Sequence, residues 1–243
     1  MKILALDSSG LVASVAVLED ENLTAEYTIQ YKKTHSQTLL PMLDEISRMI
    51  ELDLSTLDAI AVAAGPGSFT GLRIGCATAK GLGQALNKPL IGIPTVDAMA
   101  YNLYGCTKLI CPLMDARRNQ AYTGLYTFVR KEGAYQLQVV KEQCAVPLEE
   151  ILQKINEQGK EVIFLGDGVP VFRKQIEELM QGEYSFAPAS CNRQRAAALG
   201  TLAFSYLQQG KIEKAEDHKP DYLRMSQAER ERKEKRSLSG DKN

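Results

Sequence analysis

Residues 59–86 read AIAVAAGPGSFTGLRIGCATAKGLGQAL, and the rest of the chain is organised around them. Ala59–Ala64 is a short apolar run of the length of a buried strand. Gly65-Pro66-Gly67-Ser68-Phe69-Thr70-Gly71 is a turn with three glycines, and Leu72–Leu86 reads as a helix rich in Ala, Leu and Gly. Strand, glycine loop and helix form the unit with which an open α/β sheet presents backbone N–H groups at a helix N-terminus. Such a loop either holds an anion or only turns the chain tightly. Gly65, Gly67 and Gly71 permit positive φ and close backbone approach, and Ser68 or Thr70 can cap the helix. A phosphate-binding P-loop needs Lys-Ser/Thr after its last glycine, whereas Leu72-Arg73 stands here. The glycines do not fit the dinucleotide fingerprint either, so spacing alone favours the tight turn.

The helix carries a second pattern. Gly71, Gly75, Ala79 and Gly83 recur every four residues, and so do Ala77, Gly81 and Ala85. Each series lies along one helix face. Glycine costs a helix about 0.8–1 kcal/mol relative to alanine, so several in one helix point to close packing, inside the chain or against a partner.

The 243 residues suffice for one large domain or two small ones. Hydrophobic residues make up 44% and charged residues 24%, as in an ordinary globular chain. The net charge of −1 gives no reason to expect autonomous binding to nucleic acid or an anionic membrane. Five scattered cysteines without a CxxC pair argue for reduced thiols and against a zinc framework. Met1–Leu6 meets Asp7 too soon for a signal peptide, and no apolar run approaches the ~20 residues of a membrane helix. A cytoplasmic protein without membrane contact is expected.

In chain order, Lys2–Leu6, Leu11–Leu18 and Leu23–Tyr31 read as an antiparallel meander with turns at Asp7–Gly10 and Asp20–Asn22. Gln37–Glu51 is an amphipathic helix in which Pro41 fits only near the first turn. After the central stretch come a strand at Pro89–Ile93 and a helix at Thr95–Tyr104. Strands are then expected at Leu109–Met114, Ala121–Val129, Gln136–Glu142 and Glu161–Leu165, with helices at Leu148–Glu157, Val169–Met180 and Gln194–Gln209. The order β-β-β-α-β-α occurs twice, and each copy opens with a strand ending in aspartate, at Asp7 and at Asp115. That suggests a duplicated α/β architecture. The expected division is a lobe at 1–104 with the glycine loop and partner-facing helices, a second lobe at 105–225, and a charged tail at 226–243. The last helix, 194–209, can pack back on the first lobe. The tail holds eight consecutive charges, Glu229–Arg236, and reads as a solvated helix or disorder, with contact to RNA phosphates as the sharper alternative.

Asp7 and Ser8 could hold a metal-bound phosphate or cap their own turn. Asp115 is the counterpart, followed by Arg117-Arg118, which could grip an anion or sit in a solvated turn. His35 and His218 have no second histidine nearby, and no GxSxG is present. Residue chemistry alone yields a two-lobed α/β protein with a candidate phosphate cleft and no catalytic constellation.

GPGSFTGLRIG with Ala79-Lys80-Gly81-Leu82, LALDSS at the start, His35-Ser36 with Leu39-Leu40-Pro41, and Asp115-Ala116-Arg117-Arg118 with Ala121-Tyr122 together resemble the TsaB (YeaZ) family over residues 1–224. The resemblance implies the duplicated actin-like ATPase (ASKHA, RNase H-like) fold. It implies a role in forming N6-threonylcarbamoyladenosine (t6A) beside the tRNA anticodon, by transfer of threonylcarbamoyl from threonylcarbamoyl-AMP. In that family the paralogue TsaD is catalytic, TsaE is an ATPase partner, and TsaB is the non-catalytic partner of TsaD. The two metal-binding histidines of TsaD fall on Thr95 and Met99, neither a plausible metal ligand in such a site. The Ser-Gly-Gly-His nucleotide segment of TsaD has no counterpart, the second lobe offering only Gly166-Asp167-Gly168.

The leading expectation is therefore an accessory subunit without a catalytic residue, metal or cofactor. Asp7, Ser8, Gly65, Gly67 and Asp115 are vestigial nucleotide-site candidates. Met42, Met49, Leu72, Gly75, Ala79 and Gly83 are expected to face TsaD, or a second copy of the chain when alone. Enlarging Gly75 or Ala79 should then break association and leave the chain folded. The competing readings are an ATP-binding ASKHA enzyme, either an ATPase or a small-molecule kinase, and, more weakly, a metallopeptidase.

Overall fold

The computed structural model describes residues 1–20, 22–31 and 35–224; the 226–243 tail lies outside the described residues. The first sheet contains β1 (Lys2–Asp7), β2 (Ala13–Glu19), β3 (Asn22–Ile29), β4 (Ala59–Gly65) and β5 (Leu90–Pro94). Its order is β3-β2-β1-β4-β5, with β2 antiparallel to both neighbours and the β1–β4 and β4–β5 pairs parallel. The second sheet contains β6 (Leu109–Asp115), β7 (Gln120–Lys131), β8 (Ala134–Pro147), β9 (Val162–Leu165) and β10 (Tyr184–Phe186). Its order, β8-β7-β6-β9-β10, has the same pattern of directions. Two sheets of one topology establish the duplicated ASKHA, RNase H-like architecture. The short edge strand β10 completes the second copy.

The helices are α1 (Leu39–Met49), α2 (Phe69–Leu86), α3 (Thr95–Ala100), α4 (Leu148–Gln158), α5 (Val169–Leu179) and α6 (Ala196–Gln208). Side chains alternate across a strand, so a strand covered on both faces is apolar throughout. In β1, Leu4 and Leu6 pack under α1 and α2, while Ile3 and Ala5 pack under α6. The second sheet is covered by α4 and α5 on one face and by α3 on the other. The helix after β10 thus lies on the first sheet, and the helix after β5 touches the second. Ser14 and Glu26 of the first sheet accept hydrogen bonds from Ala196 N (2.8 Å) and Ala197 N (3.0 Å), meeting the unpaired N–H groups and positive dipole of the α6 N-terminus. Glu26 also pairs with Arg195.

Local chemistry explains where the elements start. Ser68 accepts from Gly71 N (3.3 Å), so α2 begins at Phe69 and the last residues expected in the loop form its first turn. Pro41 sits in the first turn of α1, where its missing N–H costs no helical bond. Leu39, Met42, Leu43 and Ile46 turn inward from α1, each full burial contributing roughly 1.5–3 kcal/mol. Among the described residues no helix is long and apolar enough to cross a membrane.

Candidate functional site

The glycine loop is built against the chain's own backbone. A Cβ at Gly67 would lie 2.3 Å from the Ser9 carbonyl oxygen, and one at Gly71 2.0 Å from that of Ser8. At Gly65, where φ is +127°, it would lie 2.2 Å from the Asp221 carbonyl oxygen. Ser68 N donates to Ser9 O (2.7 Å), and the Ser8 hydroxyl donates to Gly71 O (2.9 Å). These glycines are demanded by close approach of the β1–β2 turn and of the C-terminal segment. Carbonyl oxygens crowd that side of the loop, and they repel anions.

Asp7 is buried, and its carboxylate accepts from Ser9 N (2.9 Å) and Ser9 Oγ (2.7 Å). Burial pushes its pKa up, and the Ser9 hydrogen bonds partly offset this. Asp115 accepts from Arg117 N (2.7 Å) and Arg117 Nη1 (3.2 Å). Both aspartates hold their own turns. The turn after Asp115 places Arg117, Arg118 and Asn119 in succession at φ of 64°, 57° and 56°. Three consecutive left-handed residues without glycine store strain, of order 1–3 kcal/mol each.

Between the sheets lies a cleft of about 590 Å³. Ser9, Gly10, Leu11, His35, Gly67 and Phe69 line one wall; Asp115, Arg117, Arg118, Tyr122, Asp167 and Val171 line the other. His35 Nε2 donates to Gly10 O (2.8 Å). Asp7 and Ser8 do not line this cleft, whereas Gly67 and Asp115 do.

Three features make contacts that the sequence patterns do not announce. Asp167 follows β9 in the place that the glycine loop takes after β4; Gly166 has φ +112° and faces Leu113 O as closely as Gly65 faces Asp221 O. Burial pushes the Asp167 carboxyl up to about 6, with Arg193 opposing. Asp97 of α3 accepts from the Tyr126 hydroxyl of β7 (2.7 Å), and burial pushes its carboxyl up to about 6 and the phenol up as well. Thr95 and Met99 are fully buried on the same helix. Among the described residues no group of three or more His, Cys, Asp or Glu is placed to hold a metal ion. The third feature is the segment Asp221–Arg224, which bonds both to the glycine loop region and to Ala116.

The expected partner-facing residues need correction. Met42 is 2% exposed and belongs to the inward face of α1. Leu72, Gly75, Ala79 and Gly83 form the face of α2 that lies on the first sheet. A Cβ at Gly75 would meet Ser8 Oγ at 2.6 Å, and one at Gly83 would meet Ala215 Cβ at 2.9 Å. A bulky residue at Gly75 or Ala79 would therefore disturb the fold itself. Only Met49, 77% exposed, stands at the surface as expected. The outward face of α2 is the other small-residue series, Ala77, Gly81 and Ala85. Around a Cβ at Gly81 there is nothing within 4 Å beyond its chain neighbours and the local helix backbone. Four-residue periodicity identifies both faces, but only tertiary packing selects the inner one.

Comparison with known proteins assigns this architecture. The family model described as "TsaD: tRNA N6-adenosine threonylcarbamoyltransferase" matches residues 22–232. The tRNA threonylcarbamoyladenosine biosynthesis protein TsaB of Bacillus subtilis (strain 168) is 34% identical over 232 residues, 94% of this chain and 96% of that protein. The protein of the same name from Escherichia coli (strain K12) is 35% identical over 129 residues, 52% of this chain and 55% of that protein. The solved structure "YeaZ from Pseudomonas aeruginosa" superposes with a TM-score of 0.76 at 27% identity, covering 91% of this chain and 99% of that one. The chain therefore belongs to the family described by the TsaD model and, within it, to the TsaB (YeaZ) proteins of tRNA threonylcarbamoyladenosine biosynthesis.

Proposed function

We propose that the chain is the non-enzymatic subunit of the t6A-forming complex, pairing with TsaD as a heterodimer scaffold and working with TsaE. The observation that carries this reading is the 34% identity to TsaB along 94% of the chain. Residues 1–104 serve as the partner-facing lobe and 105–225 as the second lobe. tRNA is reached through the complex, in the cytoplasm, and no cofactor is used. The partner surface is the outward face of α2, along Ala77, Gly81 and Ala85, with exposed Leu40 and Met49 of α1, since both helices cover the same side of the first sheet. Gly81 supports it: an exposed mid-helix glycine with open space above it costs stability and returns nothing within the chain. An approaching partner helix supplies the reason for keeping it.

The test is association with purified TsaD, followed by light scattering after gel filtration. A one-to-one complex is expected, and a homodimer through the same surface for the chain alone. Separate elution of the two proteins at micromolar concentrations would overturn the reading. An ATP-binding ASKHA enzyme is the second reading, favoured by the arginine-lined cleft. Weighing against it, Asp7 is buried under Ser9 and Asp115 is engaged by Arg117. Micromolar binding of ATP–Mg by calorimetry, with turnover lost in Asp7→Ala, would favour that enzyme.

A further inference from the structure

We propose that Asp221–Arg224 is a clasp that fixes the angle between the two sheets across the open side of the cleft, a role independent of the partner assignment. The segment leading into it is fastened to the first sheet's side. Glu213 bridges Leu90, Ala215 is buried under α2, and Lys80 Nζ donates to the carbonyl oxygens of Glu216 (2.8 Å) and His218 (3.2 Å). His218 is buried and bonded to Glu213 (2.6 Å). Asp221 N then donates to Ala64 O (2.6 Å) at the end of β4. Tyr222 stacks on Phe69 of α2, with centroids 4.7 Å apart and planes at 15°, and accepts from Arg73 Nε (3.1 Å).

From there the chain crosses to the other side. Leu223 packs on the apolar cluster of the second sheet, and Arg224 Nη1 donates to Ala116 O (2.6 Å) in the strained arginine turn. Four residues thus join the glycine loop to the turn after β6, the two structures that face each other across the cleft. α3 joins the sheets at the base through Asp97 and Tyr126, so the clasp is a second tie at the rim. Hinged two-part folds close by small rotations about such junctions, and a tie at the rim removes that freedom. Gly65 belongs to this device, because any side chain there would strike the Asp221 carbonyl oxygen.

The experiment is hydrogen exchange by mass spectrometry on the full chain and on full-length Tyr222→Ala/Arg224→Ala. Loss of two hydrogen bonds and one ring stack should raise exchange about tenfold or more in residues 65–72 and in residues 115–122 together, with β1 and β6 keeping their protection. Arg224→Lys, which retains a donor toward Ala116 O, should restore most of the protection at both places. X-ray scattering should show a larger radius of gyration for the double variant. Unchanged exchange at both places, or a rise at only one, would overturn the clasp. A double variant exposed throughout would report global unfolding, and Arg224→Ala alone then decides: coupled loosening supports the clasp, and wild-type exchange refutes it.

Discussion

Gly81 separates a glycine kept for the fold from one kept for a neighbour. It lies in the interior of the 18-residue helix α2, on the outward face, with no atom beyond its chain neighbours and the local helix backbone within 4 Å of where a Cβ would stand. Gly81→Ala restricts the unfolded chain and clashes with nothing in the monomer, so the protein diluted below homodimer formation should gain about 0.8–1 kcal/mol. For a chain of this size that is roughly 2–4 °C in Tm. Gly81→Leu should be tolerated equally well by the monomer, because Leu follows Ala closely in helix propensity. Against a closely packed partner helix the added side chain is overpacked by about 1–3 kcal/mol, so association with TsaD should weaken by about fivefold to a hundredfold. Thermal unfolding followed by circular dichroism on the dilute monomer reads the first effect, and isothermal titration with TsaD the second. Gly81→Ala lowering Tm, or Gly81→Leu binding TsaD with wild-type affinity, would refute the reasoning.

On the inner face the sign reverses. Gly71→Ala should destabilise the chain by about 2 kcal/mol in urea unfolding, because its Cβ would lie 2.0 Å from a backbone oxygen and helix propensity returns only about 1 kcal/mol; a midpoint at or above wild type would contradict this. The Asp97 carboxyl has a folded-state pKa of about 6 against an ordinary 3.8. A raised carboxylate pKa means that its contribution is fully present below pH 3.8 and is lost as pH rises through 6. Asp97→Asn, which can still accept from Tyr126, should match wild type near pH 4 and exceed it by about 2–3 kcal/mol at pH 7; a pH-independent difference would exclude this cause. Arg118→Gly should relieve left-handed strain and stabilise by about 1 kcal/mol, seen as a higher urea midpoint, whereas a lower midpoint would show that the arginine side chain contributes more than the strain costs.

The duplicated fold is legible because it rests on local signals. Ala59–Leu86 shows its strand, turn and helix, and both opening strands end in aspartate. What is not legible comes from contacts between distant residues. Tyr184–Phe186 is too short for an alternation to register, yet pairing with β9 makes it a strand. Arg117-Arg118-Asn119 contains no glycine to announce a left-handed turn, and Asp115 and Gln120 impose one through hydrogen bonds. The α2 periodicity shows two smooth faces, but the choice between them depends on Ser8 and Val62 lying under Gly75. The engagement of Arg73 by Tyr222 spans 149 residues, beyond the reach of any local pattern.

The central claim, a subunit that is required for t6A formation without performing the transfer, is tested most directly by reconstitution. Purified TsaD and TsaE, unmodified tRNA, ATP and threonylcarbamoyl-AMP are incubated with and without the chain, and t6A is quantified by mass spectrometry of the digested tRNA. The account predicts t6A only when the chain is present, none from the chain with tRNA alone, and a marked loss with Gly81→Leu. Equal t6A with and without the chain, or t6A made by the chain in the absence of TsaD, would contradict it.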